Sequence, residues 1–315
     1  MDDIFTQAFI IGVLATAIRI ATPLIFGAVG EFVAESAGIL NLSIEGTMTM
    51  GALVGFVVAG ETHSLWLGIG GAIAAGAMMG LLMAFMSATV KVDQIVAGLA
   101  LNLFAGGLSF FLFRTIFSDT TSTEIPSVGV FKVPHFPGLS DIPWVGEIFF
   151  SQQWLTYIAF LSVPLVWLFL HRTRYGLELR SVGHNPSACD MRGVSVQRKQ
   201  YTATIFGGMM AGLGGGFLTL STTGLWFPEL ISGRGWIALA IVILGNWRIT
   251  WILAGAVFFG FLDGLQLSLQ AIGFDLPYQL LLALPFLLTI VALVINRSRS
   301  NVPLSLAIPY RRGQR

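Results

Sequence analysis

Long apolar runs broken by short polar stretches set the pattern of this chain. The runs fall at residues 5–30, 48–60, 65–90, 95–117, 154–170, 201–220, 236–244, 250–267 and 276–295. An α-helix needs about 20 such residues to cross a hydrocarbon layer ~30 Å thick. The pattern therefore predicts an all-α, polytopic membrane protein of nine or ten transmembrane helices. The run at 236–244 is too short to cross alone; it either recruits its flanks or belongs to a broken or re-entrant helix. Between the first two runs lies EFVAESAGILNLSIE, residues 31–45, with three glutamates and Asn41. This stretch is too polar to face lipid and too apolar for an ordinary loop. Backbone of that kind is tolerated at membrane depth only when protein or a water-filled cavity surrounds it. If it crosses by itself the count is ten, and otherwise nine.

The basic residues orient these runs. Arg172, Arg174, Arg180, Arg192, Arg198 and Lys199 crowd residues 171–200, and Arg297, Arg299, Arg311, Arg312 and Arg315 follow the last run. The positive-inside bias places both regions, and with them the C-terminus, in the cytoplasm. Residues 118–153 carry only Lys132 and are rich in Pro, Gly, Ser and Thr, as an extracytoplasmic loop would be. Four passes between the two basic regions return the chain to the same side. Nine passes leave Met1 outside and ten place it inside. Met1, Asp2 and Asp3 lack the basic start of a cleavable signal, so the first run is expected to be retained. Residues 1–315 are expected to form a single transmembrane domain.

Composition agrees with this reading. Hydrophobic residues make up 55% and charged residues 10%, against about 25% charged in soluble domains. A net charge of +1 argues against nucleic acid as a partner. The one cysteine, Cys189, excludes an internal disulfide framework and a Cys-rich metal site. The three lysines, Lys91, Lys132 and Lys199, all stand outside any G-x-x-x-x-G-K-[ST] context, so the chain has no P-loop. His63, His135, His171 and His184 are scattered, and neither H-E-x-x-H nor G-x-S-x-G occurs. Enzymatic chemistry, a metal and a bound cofactor are not expected in this chain.

Small residues supply the packing signal. Gly208/Gly212/Gly216 and Gly207/Ala211/Gly215 form two adjacent stripes, and Gly76/Gly80 and Gly260/Gly264 repeat the spacing. Such stripes let helix backbones approach in lipid.

Polar residues within the runs are the candidates for a translocation path, because ionisable groups at membrane depth normally face the bundle interior. Asn41, Glu45, Asp93, Gln94, Asn102, Asp263 and Gln266 form that set. Asp263, Gln266 and Gln270 share one helical face, and Gly98, Asn102 and Gly106 follow at intervals of four. Two readings stay open. Either these groups line a path, or they tie helices together, for example Arg19 with Glu45 or Asp93. The tying reading is the stronger for Arg19 and Glu45. Amides, which both donate and accept hydrogen bonds, suit a neutral hydroxylated substrate.

The segment 177–199 carries another signal. Asn185 followed by Pro186 has the grammar of a helix start, and Gly193 is placed to end that helix in the left-handed conformation. A helix over 186–192 is too short to be stable alone. Either a groove on a soluble partner holds it, or it is an amphipathic connector resting on the membrane.

The run GHNPSACDMRGVSVQR resembles the cytoplasmic coupling segment of permeases in the branched-chain amino acid, ribose and nucleoside importer family, whose pattern is close to R-A-V-G-x-N-P-x-A-A-x-x-x-G-I-x-V. Arg180, Val182, Gly183, Asn185, Pro186, Ala188, Gly193 and Val196 match, and Cys189 stands where a second alanine is usual. AGILNLSIEGTMTMGA at 37–52, DQIVAGLALN at 93–102 and SGRGWIALAIVILGNW at 232–247 are similar to further family motifs, with Ser43 in place of a glycine. The nucleoside branch is the most similar.

The resemblance implies the membrane subunit of an ATP-driven ABC importer in the bacterial inner membrane. A cytoplasmic ATPase, which binds the ATP, would dock on the coupling residues Arg180, Gly183, Asn185, Pro186, Ala188 and Gly193. A second permease subunit, identical or homologous, would complete the path. An extracytoplasmic binding protein or lipoprotein would deliver the solute. Alternatives are a simple-sugar permease of the same kind, or an ion-coupled carrier using Asp263 or Glu45 as its proton site.

Overall fold

The computed structural model describes residues 7–117, 127–140, 142–271 and 301–312. The expected run at 276–295, the N-terminal residues Met1, Asp2 and Asp3, and the basic residues Arg297, Arg299 and Arg315 lie outside them. Regular structure among the described residues is entirely helical. Ten α-helices follow in order: α1 (Gln7–Ser36), α2 (Ile44–Thr62), α3 (Leu65–Ala84), α4 (Gln94–Ile116), α5 (Trp154–Arg172), α6 (Arg174–His184), α7 (Pro186–Met191), α8 (Val196–Phe217), α9 (Arg234–Leu244) and α10 (Ile249–Ala271). Helices α3 and α8 each continue into a wider π turn, Phe85–Val90 and Leu218–Thr223.

Six of these are long and apolar enough to cross a membrane: α1, α3 and α8 with their π turns, α4, α5 and α10. Helix α2 has nineteen residues, most of them buried inside the bundle. Helix α9 has only eleven, the short element expected at 236–244.

Helix α8 is the central post, packed by α1, α2 and α3. Its two small-residue stripes serve different neighbours. Gly208 and Gly212 meet Gly76 and Gly80 of α3 backbone to backbone, while Gly207 faces Gly30 of α1 and Gly215 faces Met48 of α2. Gly260 and Gly264 of α10 fit against Ala17 and Ala21 of α1 in the same way. Without a hydrophobic drive between helices in lipid, this close approach supplies the packing.

The thirty residues of α1 make a rod about 45 Å long. The polar stretch 31–45 is not a crossing of its own. Residues 31–36 are the last turns of α1, Ile44 and Glu45 open α2, and residues 37–43 form a buried junction between the two.

The helix ends sort into two faces. At one, Gln152 donates to the Ala15 carbonyl (3.2 Å), Gln153 donates to the Ser221 carbonyl, and Val128 and Phe131 of the 118–153 loop bond the end of α8. At the other, the end of α1 meets α6, Thr89 bonds Tyr201 (2.6 Å), and residues 301–305 bond Asn246 and Gly183. The loop and the basic segment 171–200 therefore lie at opposite ends. The described part of the C-terminal tail shares the basic end.

Candidate translocation site and coupling face

The buried junction shows how irregular backbone survives inside this bundle. Gly38, at φ +87, ends α1, and the amides of Ala37, Gly38 and Ile39 bond back to carbonyls in its last turns. The next amides use side-chain oxygens. Leu40 N donates to Gln94 Oε1 at 2.8 Å, Asn41 N to Glu31 Oε1 at 2.8 Å, and Ser43 N to Asn41 Oδ1 at 3.0 Å. Gln94 and Asn41 are both 1% exposed. One helical turn beyond Glu31, Glu35 is fully buried and accepts from the Trp247 indole. Among the described residues, each of these two glutamates keeps one buried carboxylate oxygen with no hydrogen-bond donor within bonding geometry.

A second set of bonds fixes the start of α2. Gly46 N donates to Asn102 Oδ1 at 2.5 Å, which ties α4 to the first turn of α2. The carboxylate of Glu45 accepts from Gly233 N and Gly235 N, both at 2.7 Å. Helix α9 has no side-chain cap of its own, and its N-cap Gly233 sits at φ +82. Glu45 thus caps, from another helix, a half-length helix that begins inside the bundle. The negative charge also opposes the positive end of the helix dipole.

Sequence reasoning paired Arg19 with Glu45 or Asp93, and the structure does neither. Glu45 finds backbone amides instead. Asp93 is exposed and caps its own helix, accepting from Ile95 N (2.8 Å) and Val96 N (3.2 Å). Arg19 Nε is buried with no partner among the described residues. The cation that does face Glu45 and Asp263 electrostatically is Arg234, which also donates to the Leu230 and Ile231 carbonyls. Asp263 and Gln266 are half-buried on α10, as is Gln270. Four of the seven candidates, Asn41, Glu45, Gln94 and Asn102, therefore converge on the junction and the start of α2. Asp263 joins this set only through Arg234, Gln266 follows it along α10, and Asp93 stands exposed at the start of α4.

The coupling segment folds as its residue types dictate. Asn185 Oδ1 accepts from Ala188 N at 3.0 Å, Pro186 opens α7, and Gly193 takes φ +80. Much of the support for α7 is internal. Cys189 packs with Val182, Val196 and Tyr310, Tyr310 Oη donates to Asp190 at 3.0 Å, and Arg312 pairs with Asp190 at 2.9 Å. Besides the partner groove or membrane surface expected from the sequence, the chain's own tail holds part of this helix. Burial pushes the Cys189 thiol above its ordinary value.

Helix α6 joins this short helix to the bundle. Arg180 Nε donates to the Leu170 carbonyl at 3.1 Å. Lys199 pairs with Glu178 at 2.7 Å and sits over the Tyr175 ring, and Lys199 holds the Glu178 carboxyl below its ordinary range. Gly183 touches the end of α1: a Cβ there would fall 2.9 Å from the Ser36 carbonyl carbon and 3.2 Å from Gly38 N. A groove of about 600 Å³ runs along α6 and α7, lined by Leu177, Arg180, Ala188 and Arg192 among others. Beside it Met191 is 84% exposed.

Sequence reasoning missed Arg234, the Glu31–Glu35–Trp247 set and the Tyr310–Asp190–Arg312 clamp. The signal for the first was a lone Arg between glycines in SGRGW. For the second it was two glutamates four apart at the end of an apolar run. The third is a contact 120 residues apart in sequence, and no local pattern marks it.

Fold and site together define a multi-pass helical membrane protein with a polar, broken interior and a short capped helix fixed at its basic end, the anatomy of a transport permease. The chain belongs to the branched-chain amino acid transport system/permease component family, which it matches over residues 13–293. It is 38% identical to the putative glucose ABC transporter permease protein TsgC13 of Haloferax volcanii, over 86% of this chain and 81% of that protein. It is 35% identical to the guanosine ABC transporter permease protein NupQ of Bacillus subtilis, over 94% and 95%. To the nucleoside ABC transporter permease protein NupC of Lactococcus lactis it is 32% identical, over 95% and 96%. No solved structure matches.

Proposed function

We propose that this chain is the membrane-spanning permease subunit of an ATP-driven importer for nucleosides. The observation that carries the reading is continuous contact from α7 through α6 to the junction, where Gly183 lies on the Ser36–Gly38 backbone. A push on α7 reaches Asn41, Glu45 and the N-terminus of α9 without crossing a flexible segment. A cytoplasmic ATPase would supply that push by docking on the groove at Arg180, Asn185, Pro186 and Ala188, and would itself bind and hydrolyse the ATP. The basic end, with the C-terminus, faces the cytoplasm, and a binding protein or lipoprotein meets the opposite end. The path runs past Arg234, Asp263 and Gln266, completed by a second permease subunit. Nucleotide and binding protein must bias its two conformations differently for net transport.

Nucleosides are favoured because the relatives named for guanosine and nucleosides align over nearly their whole length. A simple-sugar permease is the second reading, and the identity to a glucose permease favours it. Labelled guanosine uptake into vesicles holding the chain, its companion permease, ATPase and binding protein separates the two. Excess unlabelled guanosine should abolish uptake and excess ribose or glucose should not. Uptake by the chain alone, lost when an uncoupler is added, would overturn the ATP-driven reading in favour of an ion-coupled carrier.

A further inference from the structure

A cleft of about 290 Å³ opens at the basic end, between the last turn of α1, the inner ends of α5 and α6, the α9–α10 turn and residues 301–303. Arg180, Arg248, His171 and His184 line it together with Trp247 and Asn301, and among the described residues no carboxylate does. Arg180 is already oriented, because its Nε is spent on the Leu170 carbonyl. Neither Arg180 nor Arg248 forms an ion pair among the described residues. Glu35, fully buried, is outside the lining and accepts from the Trp247 indole nitrogen. The described walls of the cleft therefore bring two guanidinium groups and two imidazoles together with no carboxylate among them.

Its level is marked as well. His171 stacks on Trp167 with ring centroids 5.5 Å apart, and Trp167, Leu168 and Phe169 are exposed along the inner end of α5. Tryptophan beside cationic residues at the end of an apolar helix is the composition of a membrane–water interface.

We propose that this cleft is a phosphate-binding site. A guanidinium fork matches two phosphate oxygens at once, and basic pockets between spans at the cytoplasmic face suit anionic lipid headgroups. The phosphate reaches the cleft from such a headgroup or as free anion from solution. Bound there, it bridges Arg180 of α6 to Arg248 at the start of α10. The segment that moves in coupling is then tied to the turn that closes α9. The site does not depend on which solute is carried.

The test uses the purified full-length chain in a nonionic detergent. Native mass spectrometry counts retained phosphatidylglycerol, and thermal unfolding is followed as inorganic phosphate replaces chloride at constant ionic strength. The exposed Arg248 is the residue to change, since Arg248→Gln leaves the packing intact. Losing one charge-assisted contact weakens binding about tenfold or more. Arg248→Lys should fall between, and Lys132→Gln, at the other end of the molecule, should match the unchanged protein. Phosphatidylglycerol retained by the unchanged chain and lost by Arg248→Gln, with inorganic phosphate inert, assigns the site to a lipid headgroup. Stabilisation by inorganic phosphate that Arg248→Gln abolishes assigns it to the free anion. If neither probe binds, or Arg248→Gln binds both as well as the unchanged chain, the proposal is wrong.

Discussion

Replacing Glu45 tests whether its carboxylate is a helix cap or a carrier of protons. It accepts two backbone N–H bonds at 2.7 Å from the first turn of α9. That helix is eleven residues long and has no other side-chain cap, so its own propensity cannot hold it. In Glu45→Ala both amides lose their acceptor, and each unsatisfied buried donor costs about 1–3 kcal/mol. The sum is about 2–6 kcal/mol, a large part of the 5–15 kcal/mol typical of a folded domain. Glu45→Gln keeps one carbonyl oxygen and loses the charge that favours the helix N-terminus, so roughly half of that cost is expected. Thermal unfolding of the purified chain in a fixed detergent should rank the unchanged protein first, Glu45→Gln second and Glu45→Ala last. Uptake in the reconstituted system should fall in the same order. A proton carrier predicts otherwise: Glu45→Gln would be as stable as the parent and inactive. Equal stability of all three would refute the capping argument.

Further outcomes follow from the geometry. Gly208→Ala puts a methyl 2.9 Å from Gly80 Cα and Gly80 N, so α3 and α8 must part at a cost of about 1–3 kcal/mol. Gly70→Ala, with open space around it, should be neutral or slightly stabilising in the same unfolding assay. Asn185→Ala removes the cap of α7, worth about 1 kcal/mol. It should lower stimulation of the ATPase while the chain still inserts and folds, with Asn185→Ser restoring most of it. Gly183→Ala should damage folding as well, because its neighbour is backbone, and a chain that folds and couples normally with this change would break the proposed route. The Glu178–Lys199 link gives a sign for pH. A carboxyl held below its ordinary value stabilises above the ordinary carboxylate range and loses that contribution as pH falls through the depressed value. The unfolding midpoint of Glu178→Gln should therefore lie below the parent at neutral pH and converge with it in acid.

Elements set by local chemistry could be read without coordinates. The apolar runs marked the helices, and Asn185, Pro186 and Gly193 marked both ends of α7. The glycine stripes of α8 marked the faces that α1, α2 and α3 would occupy, since only small residues allow that approach. The basic residues showed that segment 171–200 and the tail share an end, and residues 301–312 do dock on α6 and α7. All of these depend on spacing within one helix or on composition, which the chain carries in order.

The partners of polar groups depend on how helices far apart in sequence meet, and only the tertiary structure decided them. Glu45 was legible as an acid at membrane depth, but the amides that donate to it belong to a helix start 188 residues on. Gln94 and Asn102 were legible as polar breaks in an apolar run, yet their purpose lies in amides of the α1–α2 junction. Asp190, ordinary in sequence, becomes the anchor for Tyr310 and Arg312. A buried donor or acceptor must be satisfied by something, and that demand can be read from residue types. Which group satisfies it is set by packing, because in a bundle of interchangeable apolar helices many pairings bury the same surface and few bring these polar atoms together.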